Sequence, residues 1–395
     1  MPAVLSGLDV LLSTPAWRDR LRGRRVALLA NPTAITRDLT HAVEALQAAG
    51  VNLVRLFGPE HGVRAEAQDM EAVEQSVDPL SGLPVVSLYG HTFESLTPTA
   101  ADLDGMDLLI ADLQDIGARY YTFCYTIGLV MKACGEVGVP VWVLDRPNPI
   151  NGVTMEGNIV DPSCTSFVGL QPLPTRHAMT MGELALFFER FGGWRCELEI
   201  VPMKGWRRGM WFDQTGLPWV MPSPNMPTLD TATVYPGQCL LEGTEMSEAR
   251  GTTRPFELFG APWIDAAALK ANLDAAGIAG CAWRLASFKP MFQKHAGKIC
   301  RGLQLHVTDR DVFRSLDASI AILSACYALF PEFAWRTRAY EFVDQIPAID
   351  LLLGHPSLRA AIEAGEDARA LMRAHTPAHD EFLKRRDACL IYREV

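Results

Sequence analysis

The chain has 395 residues, more than the ~250–300 at which single hydrophobic cores usually stop growing, so two domains are expected. Hydrophobic residues make up 49% and charged residues 21%, the balance of an ordinary globular protein. A net charge of −10 excludes nucleic acid as a natural partner, because neutralising a phosphate backbone needs a basic surface.

In chain order, the first part alternates short apolar runs with helical periods. Residues 26–30 (VALLA) read as a buried strand, and 39–49 as a helix. Strands follow at 53–57, 85–88 and 108–113, then a helix at 121–137 and a strand at 141–144. Apolar strands of four to six residues between helices imply a mainly parallel sheet covered on both faces, with right-handed crossovers. The fold class is α/β, with a Rossmann-like doubly wound domain first. A helix at 181–191 and a strand at 196–202 come next. From 204 to about 237 the periodicity fails in a stretch rich in Trp, Pro, Met and Gly, where Trp206, Trp211 and Trp219 argue for order. The domains are expected to divide as 1–230 and 231–395, the second a smaller α+β unit. Within it, 239–241 and 282–288 and 303–307 read as strands, and 265–276 and 316–329 as helices.

The nine cysteines show no CxxC spacing and read as reduced core residues. Residues 1–12 lack the basic and apolar parts of an export signal, and no run of ~18 apolar residues is long enough to cross a bilayer. A cytoplasmic location without membrane contact is therefore expected, with a periplasmic or secreted one as the alternative if a signal has been trimmed.

Ligands of open α/β sheets bind beyond the carboxyl ends of the strands, and four predicted strand ends carry polar residues. Asn31-Pro32-Thr33 follows the first, and Gly58-Pro59-Glu60-His61-Gly62 the second. The strand at 108 runs into Asp112, Gln114, Asp115, Arg119 and Tyr120. The strand at 141 runs into Asp145-Arg146-Pro147-Asn148-Pro149 and Asn151. Core packing predicts no such registration. Glu60 is a candidate general acid or base, with a loop ion pair as the alternative. Asp112 and Asp115 are candidates for a second catalytic or orienting carboxylate, or for turn caps. Arg119 and Arg146 can each clamp a carboxylate with both guanidinium arms, or pair with Asp115 or Asp145. Tyr120 and Tyr121 offer sugar-stacking faces, or simply begin a helix.

His61, His91 and His177 lack HxH or HExxH spacing, so no metal is expected, and His177 beside Arg176 reads as a substrate contact or its support. Asn-Pro stands where a dinucleotide-binding turn needs GxGxxG, and neither GxxxxGK[ST] nor GxSxG occurs. No cofactor is expected. Two later segments complete the polar cluster. Ser223-Pro224-Asn225-Met226-Pro227 is a rigid loop, and residues 242–253 place Glu242, Glu245, Glu248 and Arg250 between glycines, with a solvated charged loop as the alternative.

These segments, in this order and over nearly the whole chain, resemble the exo-β-N-acetylmuramidase family, a glycoside hydrolase family first catalogued as a domain of unknown function. The resemblance implies release of terminal β-linked N-acetylmuramic acid from the non-reducing ends of peptidoglycan fragments, in a cleft between the two domains. It implies Glu60 as the catalytic glutamate. Asp115, Asp112 and Glu245 are then candidates for its partner, unless the substrate's own acetamido group is the nucleophile. The expected substrate contacts are His61, Gln114, Arg119, Tyr120, Asp145, Arg146, Asn148, Asn151, His177, Asn225, Glu245, Glu248 and Arg250. For the lactyl carboxylate the ranking is Arg146, then Arg119, then Arg250. The partner is a small muramyl saccharide. A non-catalytic muropeptide-binding protein and an NAD-dependent Rossmann enzyme are the competing readings.

Overall fold

The computed structural model describes residues 4–64, 76–374 and 377–393. Its first domain is built on β1 (Arg25–Ala30), β2 (Asn52–Gly58), β3 (Ser76–Val77), β4 (Pro84–Ser87), β5 (Leu108–Asp112) and β6 (Val141–Leu144). A two-stranded hairpin of β7 (Glu156–Ile159) and β8 (Pro174–Arg176) precedes β9 (Leu198–Val201). The sheet order is β3-β4-β2-β1-β5-β6-β9, parallel throughout except at β3–β4. From β1 the chain builds outward first to β2 and β4, then to β5, β6 and β9. That reversal defines a doubly wound sheet, with its ligand crevice outside the carboxyl ends of the strands.

Side chains of a strand alternate between the two faces of its sheet, and here both faces are buried. Ala27, Leu29, Leu109, Ala111, Val141 and Val143 join one core, which takes in the helices Phe123–Val137 and Met181–Phe191. Val26, Leu28, Leu108, Ile110, Trp142 and Leu144 join the other, under the helices Gly7–Ser13 and Ala42–Ala48. Runs without polar interruption at 26–30 and 108–111 are the sequence signature of this two-sided burial.

The second domain carries β10 (Leu258–Ala261), β11 (Cys281–Phe288) and β12 (Cys300–Val307) as an antiparallel sheet in the order β10-β12-β11. The helices Ala266–Ala275 and Ser315–Leu329 accompany it. Its core is continuous with that of the first domain: Tyr235, Leu240, Phe259, Ile322 and Leu352 belong to the same buried cluster as Leu109 and Phe188.

Two expectations need correction. The strand expected at 239–241 is a 3-10 helix, Cys239–Gly243, running straight on from an unforeseen helix, Leu229–Gln238. Thr, Pro and Gly in that helix hide its period, and a three-residue apolar run has no period to distinguish strand from helix. Arg119, expected to touch substrate, is fully buried and bridges the domains. Its Nη2 donates to Leu352 O (2.6 Å) at the end of the helix Ala348–Leu353, and its Nη1 to Leu173 O (3.4 Å). A cation at a helix C-terminus is stabilised by the exposed carbonyls there. Gly354, which caps that helix at φ 72°, leaves room for the guanidinium, since a Cβ on it would lie 2.6 Å from Arg119 Nη1.

Arg119→Ala removes a charged donor from a dry carbonyl, so it should lower stability by about 2–3 kcal/mol. The denaturation midpoint measures this. A variant of unchanged stability with a raised KM would return Arg119 to the substrate.

Candidate active site

β2 ends at Gly58, and the chain turns over Pro59-Glu60-His61-Gly62, closed by the Gly62 N–H donating to Pro59 O (2.9 Å). His61 takes φ 71° and Gly62 φ 83°, so the turn holds a non-glycine residue in the left-handed region. The turn carries Glu60 to the end of the sheet, where it is 6% exposed. Thr122 stands at the N-cap of the helix Phe123–Val137, yet its hydroxyl caps no amide of that helix. Thr122 Oγ1 instead donates to Glu60 Oε2 (3.0 Å), fixing the carboxyl against a helix N-terminus whose dipole favours negative charge nearby.

Glu60 and His61 open onto a pocket of about 450 Å³, counted out to its mouth. The first domain adds Tyr120, Tyr121, Thr122 and Phe123, and the connecting loop Ser223, Asn225 and Met226. The second domain contributes Tyr235, Glu242, Arg250, Phe256, Tyr340 and Glu341. Tyr235 joins the two sides edge-on, at 5.8 Å from Tyr120, 5.7 Å from Tyr121 and 4.7 Å from Phe256. Burial pushes the hydroxyls of Tyr120, Tyr121, Tyr235 and Tyr340 well above the ordinary phenol value, so they act as neutral groups. Phe256 (φ 63°) and Glu341 (φ 46°) share the left-handed conformation of His61. Such conformations cost energy and persist where the surroundings hold them, typically around functional sites.

The charges of the second-domain wall are tied together. Arg250 Nη2 donates to Glu242 Oε1 (2.7 Å), and Tyr340 donates its hydroxyl to Glu242 Oε2 (2.7 Å). Burial pushes the Glu242 carboxyl up, but Arg250 and Tyr340 outweigh it and hold it below the ordinary glutamate value. Glu248 lies behind, 3.6 Å from Arg250 and bonded to Lys294 Nζ (2.8 Å). Glu341 accepts from the Tyr89 hydroxyl (3.2 Å).

Of the expected contacts, His61, Tyr120, Asn225 and Arg250 line this pocket with Glu60. The others stand elsewhere, for stated reasons. Asp112 is fully buried with both oxygens on Arg146, at 2.5 and 2.8 Å, so it is the counter-ion of that guanidinium and does not line the pocket. Asp115 Oδ2 accepts from the Gly117 N–H (2.9 Å) and from His177 Nε2 (3.1 Å). His177 Nδ1 accepts the Met179 N–H (3.2 Å), which puts the ring proton of the neutral imidazole on Nε2. That pair holds the chain behind the pocket and does not line it. Glu245 is 41% exposed and 3.6 Å from Arg338.

Asp145 accepts from Gly182 N–H, Thr180 Oγ1 and the Tyr392 hydroxyl, each at 2.8 Å, and from Arg146 N–H at 3.0 Å. Burial pushes its carboxyl up to about 7 against those donors, and it anchors the helix Met181–Phe191. Asn148 bonds Met179 O and the Ile150 N–H, and Asn151 accepts from Val153 and Thr154, so both shape turns. Gln114 and Arg146 line a separate, smaller pocket. Of the three ranked arginines, Arg250, placed last, is the one that lines this pocket. Sequence reasoning missed Thr122, Tyr235, Tyr340 and Glu341. Only Thr122 had a signal, its place beside Tyr121 at the start of a predicted helix.

A doubly wound domain whose buried glutamate faces an aromatic cleft walled by a second domain defines a two-domain carbohydrate-type hydrolase. The chain belongs to the exo-β-N-acetylmuramidase NamZ family: that family's N-terminal model matches residues 26–230 and its C-terminal model residues 233–392. It is similar to the peptidoglycan β-N-acetylmuramidase NamZ of Bacillus subtilis (strain 168), 42% identical over 392 residues, covering 99% of this chain and 92% of the relative. It is also similar to two crystal structures of DUF1343 family proteins from Bacteroides fragilis NCTC 9343. One is 32% identical with a TM-score of 0.87, over 100% of both chains. The other is 28% identical with a TM-score of 0.78, over 99% of both.

Thr122→Val removes the hydroxyl that orients Glu60 and takes no cap from the helix. Turnover should fall about 10–100-fold, the scale of misplacing a catalytic group by an ångström, at unchanged melting temperature. Wild-type kcat in this variant would show that the contact does not position Glu60.

Proposed function

We propose that this chain hydrolyses the β-glycosidic bond of a terminal N-acetylmuramic acid at the non-reducing end of peptidoglycan fragments, with Glu60 as general acid. The observation that carries this reading is the placement of Glu60: a nearly buried carboxyl, oriented by Thr122, in a cleft whose far wall is the second domain. Glu60 gives its proton to the glycosidic oxygen as the bond to the anomeric carbon breaks, and water supplies the hydroxyl that replaces it. None of the partners expected from the sequence lines this pocket; of the two carboxylates that line it beside Glu60, Glu341 is the one we assign, because Glu242 is bonded to Arg250 and Tyr340. The lactyl carboxylate of the sugar requires a cation, and Arg250 supports that role from the cleft wall. The nine unbridged cysteines, seven of them buried, support a reducing and therefore cytoplasmic site of action on imported fragments.

Chromogenic β-glycosides of N-acetylmuramic acid and N-acetylglucosamine test this directly. The wild type should release chromophore from the first and far less from the second, because a site built for a charged group rejects the analogue lacking it. Glu60→Gln should lose about 10²–10⁴-fold in kcat while staying folded. Arg250→Ala should raise KM for the muramyl substrate and narrow the preference. Equal rates on both sugars, or a folded Glu60→Gln protein with more than about a third of wild-type kcat, would overturn the assignment.

A further inference from the structure

A second, narrow pocket opens off the ends of β1, β5 and β6, beside the point where the strand order reverses. Much of its lining is apolar, from Phe212, Leu217, Pro218, Trp219 and Val220, with Trp219 packed edge-on against Phe212 at 5.1 Å. Thr33, Thr36, Gln114 and Arg146 supply the polar part. Gln114 Nε2 donates to two carbonyls, Asp115 O (2.6 Å) and Pro147 O (2.7 Å), which fixes the orientation of the amide. Its Oε1 is left as an acceptor with no partner among the described residues. Arg146 is 5% exposed, with Nε and Nη2 engaged by Asp112 and Ile35 O. Its Nη1 donates to nothing among the described residues. Neither Gln114 Oε1 nor Arg146 Nη1 is sealed from solvent, so each can meet a ligand.

An acceptor, a donor and an apolar wall in one small pocket match a secondary amide bearing a methyl group. The amide N–H goes to Gln114, its carbonyl to Arg146, and the methyl to the wall. An anion fits worse, because Asp112 already balances Arg146 and Gln114 Oε1 would repel it.

We propose that this pocket binds a neutral amide of the substrate outside the pocket of Glu60. The inference rests on the muramidase reading above. Glu60 follows β2 and Thr33 follows the adjacent β1, so the strand ends that carry the two pockets lie one or two strand spacings apart, roughly 5–10 Å. That is the reach of a neighbouring sugar. A peptidoglycan fragment offers two such amides: the 2-acetamido group of the leaving-group sugar and, where the lactyl carboxylate has been condensed with a stem peptide, that lactyl amide in place of the charge assigned to Arg250.

The test compares kcat/KM for muramyl β-glycosides with N-acetylglucosamine or glucose as leaving group, and with or without L-alanine on the lactyl group. Wild type, Val220→Trp (which fills the pocket) and Trp219→Ala (which removes a wall) are assayed together, with folding checked by melting temperature. Wild type should prefer an amide-bearing substrate by about tenfold, the value of a hydrogen bond or two, and both variants should lose that preference. Loss of the acetamido preference assigns the pocket to the leaving-group sugar, and loss of the alanyl preference to the stem. Folded variants that keep both preferences would overturn the proposal. Calorimetric titration of N-acetylglucosamine and N-acetyl-L-alanine amide into Glu60→Gln, with and without Val220→Trp, separates this from failure of the muramidase reading. Amide binding abolished by Val220→Trp keeps the pocket even if no glycoside is cleaved, and absence of binding to either amide removes it.

Discussion

A charge taken out of water must find a partner, and most of this molecule's ionisable residues at the strand ends are arranged by that rule. Arginine–carboxylate pairs with both side chains less than a tenth exposed include Arg146–Asp112, Arg176–Glu156, Arg208–Glu183 and Arg250–Glu242. Each draws together segments well apart in the chain or braces the cleft. Arg146 ties the end of β6 to that of β5, and Arg176 ties β8 to β7. Arg208 draws the irregular stretch after β9 onto the helix Met181–Phe191, where Glu183 also accepts the Ile391 N–H of the chain's last described turn. Breaking such a pair strands the remaining charge, so these residues are constrained as tightly as any in the core.

Against that background the cleft stands out by what it leaves exposed to a ligand. The Thr122 hydroxyl donates to Glu60 Oε2, so the carboxyl is oriented from the N-terminus of the helix Phe123–Val137. Arg250 keeps one face on Glu242 and another toward the pocket, over the ring of Phe256 at 5.1 Å. The left-handed residues His61, Phe256 and Glu341 surround the same space. Their strain is sustained by a buried cluster that runs without a break from the Rossmann-like sheet into the second domain. The two domains therefore present a preformed wall on each side of the sugar.

The fold was legible because two-sided burial writes itself as uninterrupted apolar runs. Residues 26–30, 53–57, 108–113 and 141–144 lie on the observed strands to within a residue or two, and the helix Met181–Phe191 coincides with its prediction. The helix Leu229–Gln238 was hidden by Pro236 and its threonines. The location of the candidate site was suggested too, because polar residues cluster after the strands and Glu60 and His61 line the pocket there. What sequence could not do was divide those residues between chemistry and scaffold. Asp112, Arg146, Asp145 and Arg119 have the residue types of a binding site, but a partner from another segment decides their role, and pairing is a property of three-dimensional proximity. Tyr340 and Glu341 were invisible for the opposite reason: they reach the cleft from a stretch with no motif, through a turn with two left-handed residues, Glu341 and Phe342.

The central claim is that a cleft with Glu60 at its base and the second domain as its far wall admits one terminal muramyl residue. A time course of mass spectra on a glycan strand of defined length, ending in N-acetylmuramic acid at its non-reducing end, tests it most directly. The first products should be free N-acetylmuramic acid and a strand shorter by one sugar, with no further cleavage once N-acetylglucosamine is terminal. Early products of two or more sugars, from cuts within the strand, would contradict it.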